Sequence, residues 1–258
     1  MKLAFAGKGG VGKTSLAAWT ADYLARQGHN VWMVDADTAL SLGQASGLMP
    51  EELPVPLVRR EDLVRERIGV GFLNMNPDVD DLPEQLAVDV PLGTTPNPGI
   101  TPGKKQLLVM GTVAGAGGGC ACAANALLKA LLHHVVLERR EWVLVDLEAG
   151  VEHLGRGTVA SVDGLVVVSE PSLRGLQTAA RVGALARDLG LTRQALVLNR
   201  HSGSAPSMAL DGLPRLAASI PPLDGLVERQ FTSASVLGLP ESQLLDAGVQ
   251  TILDVFDQ

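Results

Sequence analysis

Two cysteines in 258 residues are too few for a disulfide scaffold, and a chain of this length does not need one. They stand two apart, at Cys120 and Cys122, a spacing poorly suited to a relaxed disulfide between them. Aromatic residues are scarce as well: they make up 3% of the chain, while hydrophobic residues make up 46%. The core must therefore be filled by Ala, Leu, Val and Gly, which suits helices packed closely on a sheet. Basic residues are outnumbered, 21 Lys and Arg against 28 Asp and Glu, for a net charge of −7. That balance argues against non-specific binding to nucleic acid or to an anionic membrane. The N-terminus enters an apolar run after a single lysine, so no secretory leader is expected. The uncharged stretch 107–128 is long enough to span a membrane. Its glycines at 111, 115, 117, 118 and 119, with Thr112 and Asn125, make it read instead as a strand, a Gly-rich loop and a helix start. One globular domain over 1–258 is expected, cytoplasmic, with neither nucleic acid nor membrane as partner.

Strand and helix patterns alternate along the chain, which predicts a doubly wound, mostly parallel α/β sheet flanked by helices. Strands are expected at 2–6, 31–35, 70–74, 106–110, 142–146, 164–169, 194–199 and 216–220. Several, such as Leu165-Val166-Val167-Val168, are continuous apolar runs, as strands buried on both faces should be. Helices are expected at 14–27, 60–67, 123–139, 172–189, 225–230 and 241–256. Ser172 reads as an N-cap and Gly190 as a C-cap of the fourth. The Pro/Gly/Thr-rich segment 91–103 reads as an exposed, mobile loop rather than a domain linker, because its neighbours belong to the same sheet.

The first strand runs into Gly7-Lys8-Gly9-Gly10-Val11-Gly12-Lys13-Thr14, which has the P-loop spacing Gly-x-x-x-x-Gly-Lys-Thr, and a helical pattern follows from Ser15. Glycines let the backbone wrap a phosphate with its N–H groups turned inward, and the helix adds its N-terminal partial charge. Lys13 reaches the β- and γ-phosphates, and the Thr14 hydroxyl ligates Mg²⁺. This predicts an ATP/ADP site over Gly7–Ser15. Lys8 is an extra cation that the plain motif does not require. Asp35 and Asp37 end the second strand, and Asp146 ends the run Trp142-Val143-Leu144-Val145. In an open α/β sheet ligands collect at the carboxyl ends of strands, so three carboxylates converge on the P-loop. Asp35 and Asp146 suit the magnesium environment, and Asp37 suits orienting or deprotonating the attacking water. Asn199-Arg200 ends a further strand, where the Asn amide can pair with an adenine edge.

Cys120-Ala121-Cys122 follows three glycines and precedes an apolar helix. A helix N-terminus lowers a thiol pKa and so favours the thiolate, which is the metal-binding form. Two thiolates do not close a four-coordinate nickel or zinc site. Either other residues complete it or a second copy of the chain supplies two more sulfurs. Two small buried residues in a tight loop is the plainer reading. His133 and His134 are adjacent, point apart on a helix, and read as surface or interface residues.

With Lys8 inside the P-loop the chain resembles the deviant Walker A group of dimeric ATPases, which includes MinD, ParA, the nitrogenase iron protein and metal-cluster maturation ATPases. The resemblance implies that Lys8 contacts phosphates of the nucleotide in the partner subunit, that Asp37 is the water-orienting residue of switch I, and that Asp35 and Asp146 serve magnesium. Within that group the chain more closely resembles the CooC-type nickel-insertion ATPases of carbon monoxide dehydrogenase. The stretches that carry this are Asn76-Pro77-Asp78-Val79-Asp80-Asp81, Met110-Gly111-Thr112-Val113, Cys120-Ala121-Cys122, the run from Asp146 to Thr158, and Ser169-Glu170-Pro171-Ser172. This implies a homodimer with nucleotide between the subunits, a shared Cys120/Cys122 site for Ni²⁺ or Zn²⁺, and a carbon monoxide dehydrogenase client. The family's switch I reads Asp-x-Asp-Pro-Asp, and here Thr38 and Ala39 replace its last two residues. Two other readings share the fold. One is a MinD/ParA-like positioning or partitioning ATPase, which usually carries a basic amphipathic C-terminal helix where this chain ends in an acidic one. The other is an iron-protein-like reductase, whose cluster cysteines lie in separate loops.

Overall fold

The computed structural model describes residues 1–69, 74, 77–96, 98–111, 119–138, 141–147, 162–203 and 210–257, with side chains of the 119–138 helix described from 126 to 135. Eight strands form one sheet in the order β3-β4-β2-β5-β1-β6-β7-β8. They are β1 (Lys2–Ala6), β2 (Val31–Ala36), β3 (Val88–Val90), β4 (Lys105–Val109), β5 (Trp142–Leu147), β6 (Gly164–Ser169), β7 (Gln194–Asn199) and β8 (Leu216–Ile220). Every pairing is parallel except β3 with β4. The described helices are α1 (Lys13–Arg26), α2 (Leu42–Ala45), α3 (Glu61–Ile68), α4 (Leu82–Leu86), α5 (Gly119–Glu138), α6 (Leu173–Asp188), α7 (Asp224–Arg229) and α8 (Ser242–Asp254).

Alternation along the central strands divides the core into two layers. Leu3, Phe5, Met33, Leu144, Val166 and Val168 pack with residues of α1, α2 and α8. Ala4, Ala6, Trp32, Val34, Val143, Val145 and Val167 pack with residues of α3, α4, α5 and α6 on the other face. Both faces are covered, so the strands read as unbroken apolar runs, and the doubly wound architecture expected from the sequence is the one observed. All of β1 after Lys2 is fully buried, which sets the P-loop that follows it over the middle of the sheet.

Most elements fall within a residue or two of their expected places. Ser172 caps α6 by accepting the Gly175 N–H at 3.1 Å, and Gly190 lies just past its C-cap, Leu189. Among strands and α-helices four depart: β3 and the short helices α2 and α4 have no counterpart among the expected elements, and α5 starts early. The edge strand β3 escaped the sequence reading because Val-Asp-Val is too short to show a period. The expected helix 123–139 opens earlier, at Gly119, so Cys120 and Cys122 lie in the first turn of α5 rather than in a loop before it. The expected strand 70–74 lies almost wholly outside the described residues. Segment 91–103 is tied to α1 near both ends: the Gly93 N–H donates to Asp22 Oδ1 at 2.7 Å and the Gly103 N–H to the Ala25 carbonyl at 2.9 Å. Among the described residues no helix is long and apolar enough to cross a membrane.

Candidate nucleotide and magnesium site

The P-loop is shaped by what lies beneath it. Gly7 has φ +146°, and a Cβ there would run into the Val168 carbonyl oxygen at the end of β6. Gly12 is left-handed, with φ +98°, and a Cβ there would run into the Asn199 amide nitrogen at the end of β7. Only glycine fits both conformation and space at each. Gly9 and Gly10, by contrast, are exposed and face open space, so the mouth of the loop forms an open cradle. The Gly12 carbonyl accepts the Leu16 N–H at 3.0 Å and starts α1. The first turn of α1 thus directs its free N–H groups toward the cradle.

Three carboxylates line the same end of the sheet. Asp35 on β2 stands opposite Asp146 on β5 in register. The Thr14 hydroxyl donates to Asp146 Oδ2 at 2.6 Å. Lys13 is 5% exposed and its Nζ lies 3.5 Å from Asp37 Oδ2. Asp37 Oδ1 accepts the Ala39 N–H at 2.9 Å. Asp35 accepts the Asp37 N–H at 3.2 Å and the Leu42 N–H at 3.0 Å. One strand end therefore anchors the whole segment 37–42, in which Leu40 is held left-handed at φ +50°. The Leu42 contact was not foreseen, since nothing in sequence marks a backbone N–H as a partner seven residues on.

Burial dominates both deep carboxyls. It pushes Asp146 up to about 7, against the Thr14 hydrogen bond and with Asp35 adding repulsion. It pushes Asp35 up to about 6, against the Leu42 and Asp37 N–H donors. The unfolded chain has both near the ordinary carboxylate value of about 3.9. Between about pH 4 and pH 7 the folded chain therefore holds protons the unfolded chain lacks, and this stabilisation is lost as pH rises through 6 and 7. In nucleotide-free buffer with EDTA, the urea midpoint is expected to fall from pH 5 to pH 7.5. Asp146→Asn should flatten that fall; an equal slope in the variant would contradict the assignment.

Asp146 Oδ1 is buried and has no hydrogen-bond partner among the described residues. With the Thr14 hydroxyl on the other oxygen of the same carboxylate, it offers hard oxygen donors of the kind Mg²⁺ takes. Thr14 and Asp146 would hold the ion, directly or through its waters. An ion held there would supply positive charge against the phosphates of a nucleotide in the P-loop.

The structure brings together the P-loop, Asp35, Asp37, Asp146 and Asn199. Ser15 follows Thr14 in the first turn of α1, partly buried. Lys8 is exposed at the lip and has no ion pair among the described residues. The Asn199 amide is used inside the protein, donating to the Val11 carbonyl at 2.8 Å and accepting the Arg200 N–H at 3.0 Å. Arg200, at φ +57°, pairs with Glu170 at 2.7 Å. His134 Nδ1 lies 3.3 Å from Asp80 Oδ1, and His133 is exposed, both away from the P-loop strands. The side chains of Cys120 and Cys122 lie outside the described residues.

A parallel sheet, a glycine cradle at a helix start, a buried lysine and an oxygen donor set define a P-loop ATPase. Residues 3–236 match the CobQ/CobB/MinD/ParA nucleotide binding domain, and the chain belongs to that family. It is 44% identical over 207 residues to the carbon monoxide dehydrogenase accessory protein CooC of Rhodospirillum rubrum, covering 78% of this chain and 74% of that one. It is 39% identical over 206 residues to an uncharacterized ATP-binding protein of Methanocaldococcus jannaschii, covering 78% and 75%. Among solved structures, the fold matches a chain of the MinC:MinD cell division protein complex of Aquifex aeolicus, with TM-score 0.67 at 18% identity over 98% of this chain and 95% of that one. It also matches Mg-ADP-bound MinD of Pyrococcus horikoshii, with TM-score 0.62 at 18% identity over 99% and 94%.

Proposed function

We propose that this ATPase is a metallochaperone acting in the cytoplasm. It works as a nucleotide-switched homodimer that binds Ni²⁺ or Zn²⁺ through Cys120 and Cys122 of both copies and assists nickel insertion into carbon monoxide dehydrogenase. Lys8 reaches the phosphates held by the partner copy, and Asp37 orients the attacking water. The observation that carries the reading is where the cysteine segment leaves the sheet. The N–H groups of Met110 and Gly111, just past β4, donate to the Asp35 carbonyl at 2.9 and 3.4 Å. The same residue's carboxylate holds the 37–42 segment. A change at Asp37 on nucleotide hydrolysis therefore acts on the strand end from which the chain proceeds to α5 and its two cysteines. The similarity to CooC supports a carbon monoxide dehydrogenase client.

The positioning-ATPase reading gains nothing from α8. Leu245, Val249, Ile252 and Leu253 of α8, with Phe256 beyond it, are buried in the core beside α1. That apolar face is unavailable to a bilayer.

If the thiolates are the ligands and the nucleotide is the switch, Ni²⁺ or Zn²⁺ affinity differs between ATP and ADP. The Cys120→Ser/Cys122→Ser variant is expected to lose at least about a hundredfold in affinity, since a thiolate site loses all its soft donors. Titration of both proteins with each nucleotide checks this. Equal affinity and stoichiometry in the variant would remove the cysteine site.

A further inference from the structure

Leu40 and Arg200 are the non-glycine residues with a left-handed backbone among the described residues, and Leu40 has φ +50°. A leucine side chain makes no local hydrogen bond there and crowds the backbone, so the conformation persists only where neighbouring contacts impose it. The backbone contacts converge on one carboxylate. Asp35 Oδ1 accepts the Asp37 N–H at 3.2 Å, and Oδ2 accepts the Leu42 N–H at 3.0 Å. The chain thus leaves Asp35, passes through Asp37 and returns to the same side chain at Leu42, where α2 begins. Within this ring Asp37 Oδ1 accepts the Ala39 N–H at 2.9 Å, and the Asp37 carbonyl accepts the Leu40 N–H at 3.4 Å. Thr38 and Ala39 are exposed, and Leu40 is the first side chain after Asp37 to turn back onto the core. Its Cδ2 lies 3.9 Å from where a Cβ on Gly111 would stand, beside Val58 and Pro56. Glycine would adopt this backbone without strain. What leucine adds is an apolar anchor.

We propose that Leu40 is a positioning residue for ATP hydrolysis: its side chain, seated against Gly111, fixes the turn that presents Asp37 to the P-loop. This rests on the reading of Asp37 as the residue that orients the attacking water. Between Asp37 and Leu40 the turn has only two exposed residues, so Leu40 is the nearest hold on its outer side. Asp37 Oδ2 already stands 3.5 Å from Lys13 Nζ, at the phosphate end of the site. A carboxylate that must place one water in line with a phosphoryl group tolerates little displacement. Loss of the anchor therefore falls on the chemical step, while nucleotide binding stays with the P-loop.

The test compares the full chain with Leu40→Gly, Leu40→Met, Asp37→Asn and the Leu40→Gly/Asp37→Asn double variant. Turnover of Mg-ATP, binding of Mg-ADP and thermal melting are measured on the same samples. Leu40→Gly is expected to lower kcat about tenfold with Mg-ADP affinity unchanged within about twofold. Leu40→Met keeps the apolar reach and should stay within about threefold of the wild-type rate. The double variant should be no slower than Asp37→Asn alone, because both changes act through one group. A side chain that only stabilises the fold would lower the melting temperature and leave turnover of the folded Leu40→Gly protein unchanged, which would overturn the proposal. A slow Asp37→Asn beside Leu40→Gly at the wild-type rate would remove Leu40 and leave the reading of Asp37 standing. Asp37→Asn at the wild-type rate would remove that reading, and the proposal with it. A double variant slowed by the product of the two single effects would show that Leu40 does not act through Asp37, and would also overturn it.

Discussion

Lys13→Ala is expected to lower ATP hydrolysis by at least about a hundredfold, the usual cost of removing one preorganised charge donor from a transferring phosphoryl group. The size follows from where Lys13 sits. It is 5% exposed at the start of α1, so no water takes over its role, and its ammonium group lies over the cradle end of the sheet beside Asp37. The change has a second consequence. Asp37 is itself 8% exposed and loses its cation. Leaving one member of a buried ion pair alone costs about 3–5 kcal/mol, so the ligand-free variant should also melt well below the wild type. Lys13→Arg keeps the charge and is expected to recover stability more than rate, since a planar guanidinium does not replace a compact ammonium in a tight cradle. Phosphate release and thermal melting on the same samples check both effects. Hydrolysis within tenfold of wild type in Lys13→Ala would mean that the P-loop is not the catalytic site.

The second large effect lies at the other end of α1. Asp22, 3% exposed, accepts from Lys105 Nζ at 2.8 Å, from the Gly93 N–H at 2.7 Å and from Arg26 Nε at 3.0 Å. Arg26 in turn makes a two-pronged contact with Asp246 at 2.6 and 2.9 Å. Burial alone would raise the Asp22 carboxyl, but Lys105 and the Gly93 N–H together hold it below the ordinary value. Burial pulls the Lys105 ammonium down, with Asp22 opposing. Three donors on one carboxylate keep the pair ionised. Asp22→Ala strands the buried Lys105 ammonium, leaves Arg26 with Asp246 alone and frees the Gly93 end of the 91–103 segment. It should cost about 3–5 kcal/mol, which at this chain length lowers the melting temperature by about 10 °C. Asp22→Asn keeps one acceptor for the Gly93 N–H and should fall between. A shift under about 2 °C in Asp22→Ala would show that the cluster is not holding α1, β4 and α8 together.

The ease of reading these features from sequence depended on how local they are. β1, β2, β5, β6 and β7 were legible because a strand covered on both faces must be apolar throughout. The P-loop was legible because its chemistry depends on a fixed spacing of glycines, Lys13 and Thr14. Asp35 and Asp146 were legible because strand ends are where such a sheet places its ligands. By contrast, β3 is held by its pairing with β4 and carries too few residues for a pattern. The start of α5 was missed because Gly and Cys are weak helix formers, and three glycines before Cys120 read as loop. The Asp22–Lys105 and Arg26–Asp246 pairs join residues far apart in the chain, and only the sheet brings them together. Asn199 was found at its strand end, but nothing in the sequence indicates that its amide faces Val11.

Under the proposed function, two copies of the chain close one metal site under nucleotide control. The most direct test is the solution mass of the chain with Ni²⁺ or Zn²⁺, measured with ATP and with ADP, together with the metal content of each peak. The expected result is a dimer carrying one metal ion per two chains, absent in Cys120→Ser/Cys122→Ser, with the metal held differently in the two nucleotides. A monomer under every condition, or one metal per chain with the cysteines removed, would contradict it.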